Sequence, residues 1–133
     1  TILSLSSADH KPDDPAEQER IHEAGGTISK PCAGDVLRVE NQLAMTRVLG
    51  DFALDKHIVP AMADIIHYPR KSSAAFVLLA CDGIWDVMSN DEVATFVSQR
   101  VSKYQLEEIA SQLLDECLQR KSTDNMSVYI VKL

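Results

Sequence analysis

The sequence predicts an α+β fold built on antiparallel β-sheet, and three observations support this. A continuous apolar run at 74–81 is typical of a strand buried on both faces. Two adjacent amphipathic helices follow, one beginning after Ser89 and one over 105–120, and a last alternating strand covers 126–133. Because the helices are neighbours in the chain rather than alternating with strands, the order favours α+β over a βαβ repeat.

The first half of the chain contains shorter predicted elements, separated by proline and glycine. A mostly charged helix over 16–23 starts at Pro15, has Ile21 as its main apolar anchor, and is stopped by Gly25-Gly26. The segment 42–49 has no clear type. Short strands are predicted at 1–6, 27–29, 36–39 and 63–67.

The two long helices have clear start signals and inward faces. Ser89 and Glu92 fit a capping box at the start of the first, which follows a short apolar turn at 84–88. Cys81 and Trp85 are expected in the core, whereas Lys121 is expected to be solvated. The predicted inward positions on the helices are Val93, Phe96, Val97, Arg100, Val101, Leu106, Ile109, Leu113, Cys117 and, less clearly, Leu114.

Composition excludes several classes of function. The formal net charge of -7 argues against non-specific nucleic-acid binding, and it is compatible either with simple solubility or with a site that collects cations. No run of 18 apolar residues occurs, so we expect no membrane span. The three cysteines show neither CxxC nor zinc spacing, which indicates a reducing compartment, and we expect the cytoplasm or the nucleus.

Two aspartates stand at strand ends. Asp82 follows the apolar strand, with Gly83 allowing a sharp turn or a close approach, and Asp124 with Asn125 precedes the last strand. Each could simply cap a turn. If the two strands pair antiparallel, however, both carboxylates fall at one sheet edge, where they would repel unless a hard cation such as Mg²⁺ or Mn²⁺ lay between them.

One catalytic loop pattern occurs in the sequence but is disfavoured. The segment from Cys32 to Arg38 fits C-x₅-R, the loop of cysteine-dependent phosphatases. Asp35 would repel phosphate there, and no helix is predicted after Arg38 to direct its N-terminus at an anion. The four histidines show no metal-binding spacing.

Four segments in order resemble one family. They are DHKP at 9–12, LAMTRVLGD at 43–51, LACDGIWDV at 79–87 and DNMSV at 124–128. The sequence is similar to the C-terminal half of type 2C, metal-dependent protein serine/threonine phosphatases, and in particular to their animal cytosolic members.

The resemblance implies a fold and a site. In this family two Mn²⁺ or Mg²⁺ ions lie between the antiparallel central sheets of an α-β-β-α sandwich and activate the water that attacks phosphoserine or phosphothreonine in proteins. It implies that Asp82 and Asp124 are metal ligands, with Asp86, Gly83 and Asn125 as possible neighbours of the metals. Segment 31–43 would correspond to a flap beside the substrate groove, and phosphorylated proteins would be the partners.

Other family features are missing from the sequence. The family's Asp-Gly-His-Gly-Gly turn, its phosphate-binding arginine and its other acidic ligands belong to an N-terminal half and have no counterpart here. We therefore expect residues 1–133 to be the C-terminal portion of a single catalytic domain, weakly active or inactive alone, with possible self-association through exposed sheet edges. The alternative is a non-catalytic phosphoprotein-binding or regulatory fragment.

Overall fold

The computed structural model describes residues 7–68 and 74–133, which form two compact units. One unit is Ser7–His67, and the other contains residues 74–133. Helices and small antiparallel sheets make up both, which confirms the predicted α+β class. The strand predicted at 1–6 lies outside the described residues.

The first unit is organised around helix α1, Pro15–Glu23. The Asp14 side chain accepts a hydrogen bond from Ala16 N at 2.8 Å, and Pro15 occupies the first turn, where its missing N–H costs nothing. Ile21 is fully buried with Val39 and Val59 in a small apolar core. The predicted helix and its anchor are therefore confirmed.

The strands of this unit are short. Strand β1, Ile28–Ser29, pairs antiparallel with β2, Arg38–Val39. The strand predicted at 63–67 is wrong, because residues 61–68 have no regular structure. A strand needs a neighbour for its backbone hydrogen bonds, and the described residues give this segment none.

The described part of the second unit contains a sheet of two five-residue strands. Strand β3, Phe76–Ala80, pairs antiparallel with β4, Val128–Lys132, and Leu78 is opposite Ile130 at the centre. Leu78, Ala80 and Val128 pack on the apolar core. The antiparallel pairing that a shared sheet edge for the two aspartates required is therefore present.

The opposite face of this sheet is open in the described part of the chain, so burial of β3 on both faces is wrong. Successive side chains of a strand point to opposite faces, and helices cover only one of them here. The second face consists of Val77, Leu79, Tyr129 and Val131, whose exposed fractions are 43%, 60%, 70% and 48%.

Over residues 74–133 this unit also contains three helices: α2, Asp82–Trp85; α3, Asn90–Ser98; and α4, Leu106–Gln119. The predicted capping box at the start of α3 is present, with Glu92 N bonded to Ser89 and the Glu92 carboxylate bonded to Ser89 N. The buried residues of the core are Ile84, Met88, Val93, Leu113 and Cys117. Among the described residues, no helix is long and apolar enough to cross a membrane.

Candidate metal centre

The paired strands bring the segments of Asp82 and Asp124 to the same end of the sheet. Ala80 and Val128 form the last pair of the ladder, and a further bond from Cys81 N to Ser127 O at 3.2 Å extends the contact. Asp82 begins α2 immediately after this point, and Asp124 lies in the loop that leads into β4.

Gly83 and Asn125 hold the two segments in direct contact. A Cβ atom on Gly83 would lie 2.5 Å from the carbonyl oxygen of Asn125 and 3.0 Å from Cγ of Met126. Ser122 Oγ also donates to the carbonyl oxygen of Gly83 at 2.7 Å. Only glycine permits this approach, and the close contact of Gly83 is made with the backbone of the Asp124 segment.

Cys81 links the same two segments and is not the simple core residue that was expected. Its Sγ atom donates to Asn125 O at 3.3 Å and accepts from Ser127 N at 3.2 Å. Hydrogen bonding by Ser127 lowers the pKa of the Cys81 thiol. The expectation for Cys117 is confirmed, since it is fully buried.

Trp85 fixes α2 against the end of β3. Its indole N–H donates to Ala80 O at 3.0 Å while the ring, which is half-buried, packs at the edge of the core. Asp124 also makes a local contact, because one of its carboxylate oxygens accepts a bond from Asn125 N at 2.7 Å. This bond agrees with the turn-capping role of Asp124 and leaves its other oxygen for a further ligand.

A cavity of about 220 Å³ lies beside these segments. Asp86 and Asp124 both line it, together with Val87, Lys121, Ser122 and Thr123. Asp82, although described, is not among the lining residues. The cavity therefore places one predicted metal ligand beside Asp86, and it also includes the exposed Lys121.

The carboxylates are ligands of the type that a hard cation prefers, but the described residues bring too few of them together. Asp82, Asp86 and Asp124 are all exposed, and carboxylate oxygens are the ligands that Mg²⁺ and Mn²⁺ prefer. Within residues 7–68 and 74–133, however, no three His, Cys, Asp or Glu side chains are grouped so that they could hold a metal ion. Since such ions take about six oxygen ligands, this part of the chain offers an incomplete set.

The first unit contains an ion cluster around a buried carboxylate, which no sequence motif indicated. Glu17 is only 3% exposed and accepts hydrogen bonds from Arg20 Nη2 at 2.9 Å and from Arg47 Nε at 3.2 Å. Burial by itself would raise the pKa of Glu17, but the bonds from Arg47 and Arg20 outweigh it and hold the pKa well below its usual range. Arg47 also donates to Asp64 at 2.8 Å, and His10 contacts the same carboxylate at 2.9 Å.

Comparison with known proteins identifies the family of this chain. The family model described as "Protein phosphatase 2C" matches residues 3–126. The chain belongs to the protein phosphatase 2C family. Its resemblance to the family, drawn from four short motifs, is therefore confirmed.

Individual relatives agree with this assignment. Mouse "Protein phosphatase 1B" is 40% identical over 97% of this chain and 34% of its own length, and human "Protein phosphatase 1A" is 38% identical over 92% and 33%. The chain thus spans about a third of the length of the curated relatives it matches.

Solved structures share the fold. "Structure of a C.elegans sex determining protein" matches with a TM-score of 0.80 and 34% identity, covering 96% of this chain and 31% of the other. A phosphatase from a pathogenic strain of Toxoplasma gondii matches with a TM-score of 0.76 and 33% identity, covering 96% and 41%.

Proposed function

We propose that this chain is part of the catalytic domain of a metal-dependent protein phosphatase that hydrolyses phosphoserine and phosphothreonine in proteins. Asp82 and Asp124 are proposed as carboxylate ligands of Mg²⁺ or Mn²⁺. The observation that supports this best is the Gly83–Asn125 contact, which joins the two aspartate-bearing segments within the part of the chain that matches the family.

The residues of this chain would hold and orient the site. When bound, a divalent ion lowers the pKa of water and neutralises phosphoryl oxygens. Asp82 and Asp124 supply negative charge for that ion, and Gly83 allows their segments to approach. Ser122 stabilises the approach through its bond to Gly83 O, while Trp85 holds α2 in place through Ala80 O.

The isolated chain is expected to bind metal weakly and to turn over little substrate. Two carboxylates give a hard cation fewer oxygens than it requires, and the described residues contain no group of three candidate ligands. For that reason a non-catalytic role, as a phosphoprotein-binding or regulatory fragment, stays the second candidate.

A chimera separates the two candidates. Residues 1–133 would replace the matching third of mouse protein phosphatase 1B, and Mn²⁺-dependent hydrolysis of a phosphothreonine peptide would be measured. The phosphatase proposal expects turnover that falls at least about tenfold in Asp82→Ala and in Asp124→Ala but not in Asp115→Ala, which removes an exposed carboxylate on α4.

The opposite result has an equally clear meaning. A folded chimera without turnover, or one whose turnover survives both alanine variants, would contradict the catalytic role. Phosphopeptide binding without turnover would instead favour the non-catalytic candidate.

A further inference from the structure

The end of the first unit, segment 61–67, has no regular structure, and all of its side chains are exposed. Met62 and Ile65 are 59% and 81% exposed, so burial contributes little to holding this segment. Among the residues that the structure describes, none of its members joins a sheet or makes a backbone-to-backbone hydrogen bond. Its position therefore depends on side chains from elsewhere in the unit.

Two basic side chains contact Asp64 at the middle of this segment. Arg47 Nη1 donates to Oδ1 of Asp64 at 2.8 Å and to the carbonyl oxygen of Met62 at 3.4 Å. Nε2 of His10 lies 2.9 Å from the other carboxylate oxygen, Oδ2. The Asp64 carboxylate is thus held by one group that is always charged and by one whose charge depends on pH.

Both partners of Asp64 are attached to the body of the unit. Arg47 Nε donates to the buried Glu17 of α1 at 3.2 Å. The carbonyl oxygen of His10 accepts a hydrogen bond from Thr46 N at 3.0 Å, which fixes the loop before α1 beside the residue that precedes Arg47. The anchored side chains therefore belong to the unit, whereas Asp64 belongs to the weakly held segment.

We propose that His10 and Asp64 form a pH-sensitive clasp, which holds segment 61–67 against the loop before α1 while the imidazole is charged and loosens when it becomes neutral. Histidine side chains change charge between about pH 5 and pH 8. Hydrogen bonds from His10 and Arg47 lower the pKa of Asp64, so its carboxylate stays ionised over this range. Because Arg47 also stays charged, the segment loosens at high pH without being released.

The other charged groups around the clasp leave His10 as the group that changes. Asp9 and Lys11 flank it in the chain and contact each other at 3.3 Å, and neither residue type changes charge between pH 5.5 and pH 8. Glu17, which faces Arg47, has a pKa held well below its usual range. Within the segment itself, His67 is a second imidazole, and it is exposed.

Carbon-detected nuclear magnetic resonance of the full 133-residue chain between pH 5.5 and pH 8 tests the clasp, since carbon signals survive the fast exchange of exposed amide protons. The Cγ shift of Asp64 reports the charge beside it, and Cα relaxation of Ala63 and Ile65 reports the order of the segment. Both should change with the midpoint of the His10 imidazole. The side chains of His10 and Asp64 are 25% and 54% exposed, so the ratio of attached to loosened segment should fall about twofold to fivefold.

Three variants separate the clasp from general effects of pH. His10→Gln keeps a hydrogen-bond donor without a charge, and the segment should be as mobile at every pH as it is in the wild type at pH 8. Asp64→Asn should remove the pH dependence of segment order while the His10 imidazole still titrates. His67→Gln is the matched control and should behave as the wild type. Amide exchange at Ile21 and Val39 reports whether the unit stays folded in each variant.

Several results would overturn the proposal. These are a wild-type Asp64 Cγ signal that does not move between pH 5.5 and pH 8, segment order that does not follow it, a pH dependence that persists in His10→Gln, or one that disappears in His67→Gln. Unprotected amides at Ile21 and Val39 in the wild-type chain would overturn it as well, because the clasp needs a folded unit. The clasp involves no metal ligand, so its failure leaves the proposed function untouched.

Discussion

Gly83 and the carbonyl oxygen of Asn125 lie so close that a Cβ atom on Gly83 would be 2.5 Å from that oxygen. The partner atom belongs to the backbone and cannot rotate away as a side chain could. This contact fixes the start of α2 against the loop before β4, and it thereby sets the spacing of the segments that contain Asp82 and Asp124.

Replacing Gly83 by alanine should therefore destabilise the second unit. We expect Gly83→Ala to lower the free energy of unfolding by about 2–3 kcal/mol, because either the helix start or the Asn125 backbone must move. Urea unfolding followed by the fluorescence of Trp85 measures this. Ser102→Ala, in an exposed turn of the same unit, is the control and should leave the Trp85 transition unchanged.

Both aspartates should be needed for full affinity for Mn²⁺. We expect Asp82→Asn and Asp124→Asn each to weaken Mn²⁺ binding at least about tenfold in calorimetry, because each removes a charged oxygen ligand. If both bind one ion, the double variant should lose less affinity than the sum of the two single losses. Asp115→Asn is the matched control, and an equal loss there would point to general electrostatics rather than a site.

The stability of the first unit should depend on the ion pairs of the buried Glu17. Glu17→Ala would leave Arg47 without its buried partner, and we expect a loss of about 3–5 kcal/mol. Hydrogen exchange at the amides of Ile21 and Val39 reports on this unit. Glu19→Ala removes an exposed carboxylate of the same helix and should change exchange little.

The carboxylate of Glu17 should also make the stability of the first unit depend on pH. The folded-state pKa of Glu17 is lowered, so its contribution is fully present above the unfolded pKa of about 4.3 and is lost as the pH falls toward the folded value. Exchange protection of Ile21 should decline between pH 5 and pH 3 in the wild type, and this decline should be smaller in Glu17→Gln. Identical profiles would contradict the role assigned to Glu17.

The capping box of α3 offers a smaller local test. Ser89→Ala removes the acceptor for Glu92 N, and we expect a loss of about 1 kcal/mol in urea unfolding. The pKa of Glu92, lowered to about 2 by its bonds to Arg120 and Ser89, should rise when Ser89 is replaced. Ser102→Ala, in an exposed turn of the same unit, should have no measurable effect.

The sequence predicted what local patterns encode. The alternation of β4, the apolar run of β3 and the Ser89–Glu92 capping box all depend on near neighbours in the chain, and each is present. Their register and the approach of Gly83 to Asn125 follow from antiparallel pairing, which the order of elements already favoured.

Features that depend on residues far apart in the sequence could not be predicted from local patterns. An apolar run such as that of β3 does not say which face will be covered, and Val77 and Leu79 are exposed as a result. The segment 63–67 has the composition of a strand and lacks a pairing strand in the described residues. The burial of Glu17 depends on Arg47, which is 30 positions away in the sequence. The left-handed conformation of Lys121 (φ +68°) depends on how helix α4 ends.

Nuclear magnetic resonance with Mn²⁺ as a paramagnetic probe tests the central claim most directly. One ion held by Asp82 and Asp124 should broaden the amide signals of Gly83 and Asn125 together, with a single midpoint, and Asp124→Asn should remove the broadening at Gly83 as well. Broadening confined to one segment, or unchanged at Gly83 in Asp124→Asn, would contradict a shared metal site.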